Sequence, residues 1–207
     1  MDGVLVDTGD VHFRSWNATL SKYSLPFDYE TFRTAFGMNN EGIVRMLLGD
    51  QFHEDLYLEI SNKKEETFRE AIKGELQLLP GVFSLLKDIQ ELNIPQAIGS
   101  SAPQENIDVI VEELDLGSYF QAQVSAFGIP GKPDPAVFLI CAQRLNVLPE
   151  NCLVIEDAIS GVEAALHAGM RCVAVTTTNP ASDLISADLV VESLETIKAD
   201  DLIALMD

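Results

Sequence analysis

The chain has 207 residues, 47% of them hydrophobic and 22% charged, and 33 acidic against 13 basic side chains give a formal charge of −20. Enough apolar residue is present to bury a core, which excludes disorder as the dominant state. So negative a surface repels phosphate backbones and anionic lipid and speaks against nucleic acid or a membrane as partner. No apolar run nears the roughly 18 residues of a membrane span. No basic-then-apolar leader is visible, so the expectation is a cytoplasmic protein. Cys141, Cys152 and Cys172 are odd in number and set among apolar neighbours. They read as small buried residues, not as a disulfide framework or a zinc site.

In chain order, residues 10–79 show helical periodicity and almost no strand signal. Phe13, Trp16 and Leu20 share one helical face, and Leu56, Ile60, Phe68 and Ile72 recur at multiples of four. Lys64 occupies that second stripe where an apolar residue is expected, which a snorkelling lysine stem accommodates. From residue 80 the pattern alternates. Val82, Leu85, Leu86, Ile89 and Leu92 form a helical stripe, and the short run Pro95–Gly99 leads to Ser100-Ser101. Ser101 with Gln104 has the form of a capping box. Ile107, Ile110, Val111 and Leu114 supply the next helix, and Ala122–Phe127 the next short run. Asp134-Pro135 then suit an N-cap and a first helical position. Cys152–Ile155, Cys172–Val175 and Leu189–Val191 are apolar throughout. Continuous apolar strands separated by helices predict an α/β fold, a Rossmann-like parallel sheet with crossover helices. The predicted domains are a core of residues 1–9 plus 80–207 and an inserted all-helical module of residues 10–79.

In open parallel sheets, ligands bind at the carboxyl ends of the strands. Asp2, Asp7-Thr8, Ser100-Ser101, Lys132 and Glu156-Asp157 all follow predicted strands or sit near the start. Converging carboxylates without soft ligands suit a hard cation, most naturally Mg²⁺. A lysine and hydroxyls beside that ion hold phosphate oxygens. Taken singly, each residue has a plainer reading: Asp2 as a solvated terminal residue, Ser100-Ser101 as a cap, Lys132 as a loop lysine. Glu156-Asp157 resists one, because two acids directly after a buried strand must sit at its open end. The set points to phosphoryl chemistry.

Asp2-Gly3-Val4-Leu5-Val6-Asp7-Thr8, Ser100, Lys132-Pro133 and Glu156-Asp157-Ala158-Ile159-Ser160-Gly161 resemble the four signature motifs of the haloacid dehalogenase superfamily. The stretch from Asp7 to Trp16 is similar to the β-phosphoglucomutase branch, with its helical cap after the first motif. The resemblance implies a Mg²⁺-dependent phosphatase of small phosphorylated metabolites, with β-phosphoglucomutase and a non-catalytic binding protein as the alternatives. It implies Asp2 as general acid/base and carbonyl ligand of the ion, Ser100 and Lys132 as holders of the phosphoryl group, and Glu156 and Asp157 as acidic metal ligands. Ser101, His12, Trp16 and Lys64 would contact substrate. The family motif runs Asp-x-Asp-Gly and Met1 stands at x. The resemblance therefore places the attacking aspartate, and an apolar strand leading to it, before Met1. It implies a miscalled or trimmed start, and a chain beginning at Met1 is expected not to turn over. The mutases carry an arginine early in the cap, whereas the matching stretch Gly37–Gly42 has no basic residue. Nothing in the sequence speaks to oligomeric state.

Overall fold

The computed structural model describes residues 1–35 and 38–206, so Gly37 of the early-cap stretch lies outside the described residues. The chain divides into two compact units, Thr8–Glu75 and Met1–Asp7 with Leu76–Asp207.

The first unit is helical: α1 (Gly9–Leu20), α2 (Tyr29–Ala35), α3 (Asn40–Leu48) and α4 (Glu54–Ala71). The stripes read from the sequence are its inner faces. α1 packs along α4, and Trp16, Leu20, Phe27, Phe32, Val44 and Ile60 form the core. α3 opens on a true cap, the Asn39 side chain accepting from the Gly42 amide at 2.8 Å, which satisfies one of the helix's orphan N–H groups.

The second unit is α/β. After α5 (Val82–Glu91), β1 (Ala97–Ser100) is followed by α6 (Gln104–Glu113) and pairs in parallel with β2 (Ala122–Ser125). Then come α7 (Ala136–Leu145), β3 (Leu153–Glu156), α8 (Ile159–His167), β4 (Arg171–Val175), β5 (Leu189–Val191) and α9 (Ala199–Ala204). β3, β4 and β5 pair in parallel in that order. Helices on both faces of the strands give two buried clusters. One gathers Val124, Phe138, Val154, Val162, Cys172 and Ala174; the other Leu86, Ile98, Ile107, Val111, Val173 and Val175.

Two local expectations are corrected. Ser101 forms no capping box: α6 begins after Pro103, and the Ala102 amide donates instead to Ser100 Oγ at 3.1 Å. Asp134 does accept an amide, that of Ala136 at 2.9 Å, but Pro135 is the cap and the helix starts one residue later. The sheet is also not continuous. β1 and β3 each pair on one side only, and both line an apolar cavity of about 320 Å³ with Leu86, Phe138 and Met1. Cys141 and Cys172 are buried and Cys152 is half-buried, all as free thiols. Burial pushes the Cys141 thiol up to about 11 and that of Cys172 up to about 12, since an apolar surround disfavours the thiolate.

Candidate active site

Ser100 and Glu156 are the last residues of β1 and β3, which puts them on the carboxyl rim of the α/β unit. Asp157 follows directly. Glu156 points inward against α8: a Cβ at Gly161 would lie 2.1 Å from its carboxyl carbon. Glycine at 161 is thus a requirement of close approach. The Glu156 carboxylate receives the Lys132 ammonium and the amides of Asp157 at 3.0 Å and Ala158 at 3.2 Å. The Lys132 head also lies 4.7 Å from the centre of the Phe138 ring. Burial alone would push the Glu156 carboxyl up, but the lysine charge and these hydrogen bonds outweigh it and hold it below the usual carboxylate range.

Asp157 is the opposite case. Burial first, and then the neighbouring Glu156 charge, push its carboxyl up to about 6, against a pull downward from the Thr178 hydroxyl. Thr178 Oγ1 donates to Asp157 Oδ2 at 2.5 Å. Asn179 Nδ2 donates to the Asp157 main-chain carbonyl at 2.9 Å and to Thr178 Oγ1 at 3.0 Å. Gly3 presses on the same carboxylate. Its φ is +68°, and a Cβ there would lie 1.9 Å from Asp157 Oδ2. Only glycine combines that left-handed backbone with that proximity. Asp2 is therefore adjacent in sequence to the residue that walls Asp157. It also forms a parallel bridge with Val6.

The expected rim residues thus fall into two roles. Glu156 and Lys132 neutralise one another. Asp157 is a buried carboxylate to which, among the described residues, no cationic side chain is hydrogen-bonded. Among the described residues no three His, Cys, Asp or Glu side chains converge to hold a metal by themselves. That donor set suits Mg²⁺, which takes one or two carboxylates and completes its octahedron with water and phosphate oxygens. Ser100 is buried and its hydroxyl caps the turn after β1, while Ser101 is exposed.

In the helical unit, His12 and Lys64 come together. Lys64 is buried at 2% exposure and does not snorkel. Its ammonium lies 2.9 Å from both Glu65 Oε1 and His12 Nδ1, and the His12 ring stacks on Phe68 at 4.1 Å. A charged lysine donating to Nδ1 fixes the protonated ring nitrogen at Nε2. Trp16 is 2% exposed and packs against Phe27 in the unit's own core. Asn40 donates to Ser61 and Glu65.

Sequence reasoning missed Thr178 and Asn179. The signal was available: Thr176-Thr177-Thr178-Asn179 is a polar run directly after an apolar strand, the position from which Ser100 and Glu156 were chosen. It missed Glu65 and Ser61 because buried polar partners on a helix of mixed composition leave no periodic trace.

A parallel α/β core with its polar groups at the strand ends, interrupted near its start by a helical insertion, is the architecture of a haloacid dehalogenase-fold hydrolase. A family model described as haloacid dehalogenase-like hydrolase matches residues 1–175, and the chain belongs to that family. Among its relatives, a phosphorylated carbohydrates phosphatase from Thermotoga maritima is 32% identical over 176 residues, covering 83% of this chain and 80% of that protein. A β-phosphoglucomutase from Bacillus subtilis is 32% identical over 199 residues, 92% of this chain and 86% of the relative. The crystal structure of a β-phosphoglucomutase from Clostridium difficile superposes with a TM-score of 0.86 at 28% identity, covering 99% of this chain and 93% of the other.

Proposed function

We propose that the protein is a Mg²⁺-dependent phosphatase of small phosphorylated metabolites, sugar phosphates foremost. The observation that carries this reading is the division of labour on the rim: an internally neutralised Glu156–Lys132 pair beside an Asp157 whose carboxyl is held at about 6. A buried carboxylate kept costly in this way attracts a cation. Asp157, with Asp2 near it, would hold Mg²⁺, which when bound supplies charge that offsets the phosphoryl oxygens. Lys132 and the Ser100 hydroxyl would orient the phosphoryl group. The attacking carboxylate would be the aspartate that the family motif places one residue before Met1. Asp2 would protonate the departing sugar oxygen and then take a proton from the water that releases phosphate. Two relatives named for phosphorylated carbohydrates and for fructose 1-phosphate support the substrate class.

Hydrolysis is favoured over mutase chemistry by the helical unit. Of the two arginines flanking the early-cap stretch, Arg45 is tied to Glu41 at 2.7 Å and lies over the Phe52 ring. Arg33, the other, is exposed, but a second phosphate would find no basic residue within the stretch Gly37–Gly42 itself, and charge-assisted bonds are the strong ones. The test supplies protein extended by the motif aspartate with β-glucose 1-phosphate and catalytic glucose 1,6-bisphosphate. Inorganic phosphate is expected as the main product. Rapid glucose 6-phosphate with little free phosphate would assign the mutase reaction instead.

A further inference from the structure

We propose that Thr178 and Asn179 are positioning residues that set the plane of the Asp157 carboxylate and turn Oδ1 toward a divalent cation. This rests on reading Asp157 as the cation's carboxylate ligand. A free aspartate rotates easily about its last torsion, which is broad and roughly two-fold. Here the carboxylate is held at Oδ2 by Thr178 and Gly3, and the backbone that carries it is held by Asn179. Thr178 Oγ1 is 2.5 Å from Oδ2, Asn179 Nδ2 is 2.9 Å from the main-chain carbonyl of the same residue, and the Gly3 backbone closes on Oδ2 from another side.

The direction of the hydrogen bonds is forced. A carbonyl oxygen only accepts, so the Asn179 group facing it must be the NH₂. The second hydrogen of that NH₂ is directed at Thr178 Oγ1, 3.0 Å away. With its oxygen accepting there, the threonine hydroxyl sends its single proton to the nearer acceptor, Oδ2, rather than to the main-chain oxygen at 3.0 Å. One amide therefore orients both the backbone and, through the hydroxyl, the carboxylate of Asp157. Oδ1 takes no hydrogen bond among the described residues, so the oxygen left over is the one for the ion. Partners of this kind fix the ligand's orientation before the metal arrives, and losing one typically weakens metal binding about 10- to 100-fold.

The test follows Mn²⁺ binding to the 207-residue protein by the electron paramagnetic resonance signal of free ion, with Asp157→Asn as the control that locates the site. Thr178→Val, which keeps shape and loses the hydroxyl, is expected to weaken Mn²⁺ binding about 10- to 100-fold. The melting temperature in chelator should stay near that of the parent protein. Thr178→Ser is expected to restore binding, and Asn179→Ala to weaken it in the same direction; Asn179→Ala carries the test alone should Thr178→Val fail to fold. If the parent binds Mn²⁺ and Thr178→Val binds it equally well, or if serine is no better than valine, the positioning role is wrong. If the parent binds no Mn²⁺ at all, the reading of Asp157 as a cation ligand falls, and this inference with it.

Discussion

Lys132→Met is expected to destabilise the protein by about 3–5 kcal/mol at neutral pH, the usual consequence of stranding one member of a buried ion pair. Methionine keeps a stem of similar length, so the variant removes the charge, and with it the ammonium's contact with the Phe138 ring, at little cost in volume. Glu156 is left at 6% side-chain exposure, with the Asp157 and Ala158 amides but no counter-charge. The loss should shrink in acid. In the parent, Glu156 is held below its ordinary range, so its contribution is present above the unfolded pKa and disappears as pH falls through the folded one. In the variant burial dominates and the carboxyl is pushed up, so protonation relieves it. Urea unfolding at neutral and mildly acidic pH measures both. Adding Glu156→Gln to Lys132→Met should recover much of the neutral-pH loss. A single variant as stable as the parent at pH 7 would mean that Glu156 does not depend on this lysine.

Asp157→Asn should do the reverse: stabilise the metal-free protein while abolishing cation binding. A carboxyl displaced from its ordinary value near 4 to about 6 is one the folded state prefers protonated. Two units correspond to about 3 kcal/mol of cost at neutral pH. That cost fades as pH falls from 6 toward 4, where the parent's carboxyl takes its proton. Asparagine is neutral throughout and its amide oxygen still accepts from Thr178. The gain is expected at pH 7.5 in chelator and should vanish near pH 4. Thermal unfolding across that range, with and without Mg²⁺, is the measurement. A variant less stable than the parent at pH 7.5 in chelator would show that Asp157 is a structural anchor. A site that weakens the fold it sits in is the expected signature of function held against stability.

Much of this was legible from the sequence because it rests on short-range rules. The stripes at Val82–Leu92 and Leu56–Ile72 became helices, since apolar residues at helical spacing have one face to bury. The apolar runs at Leu153, Cys172 and Leu189 became parallel strands, because a strand covered on both faces cannot carry polar residues. The rim acids followed from the strand ends. What could not be read depends on contacts between residues far apart in the chain. Whether Lys64 snorkels or is buried is decided by His12, 52 positions away. Which of Glu156 and Asp157 is already neutralised is decided by Lys132 and Thr178.

The two deeply buried thiols give the molecule an internal clock. Cys172 lies in β4, the strand paired on both sides, and Cys141 lies on α7 against β1. With both thiols pushed well above neutral pH by burial, alkylating reagents find almost no thiolate; Cys172 is fully buried, whereas Cys141 lines the apolar cavity beside β1. Modification of Cys172 must wait for the structure to open, so its rate measures the frequency of opening, while that of Cys141 also reports access to the cavity.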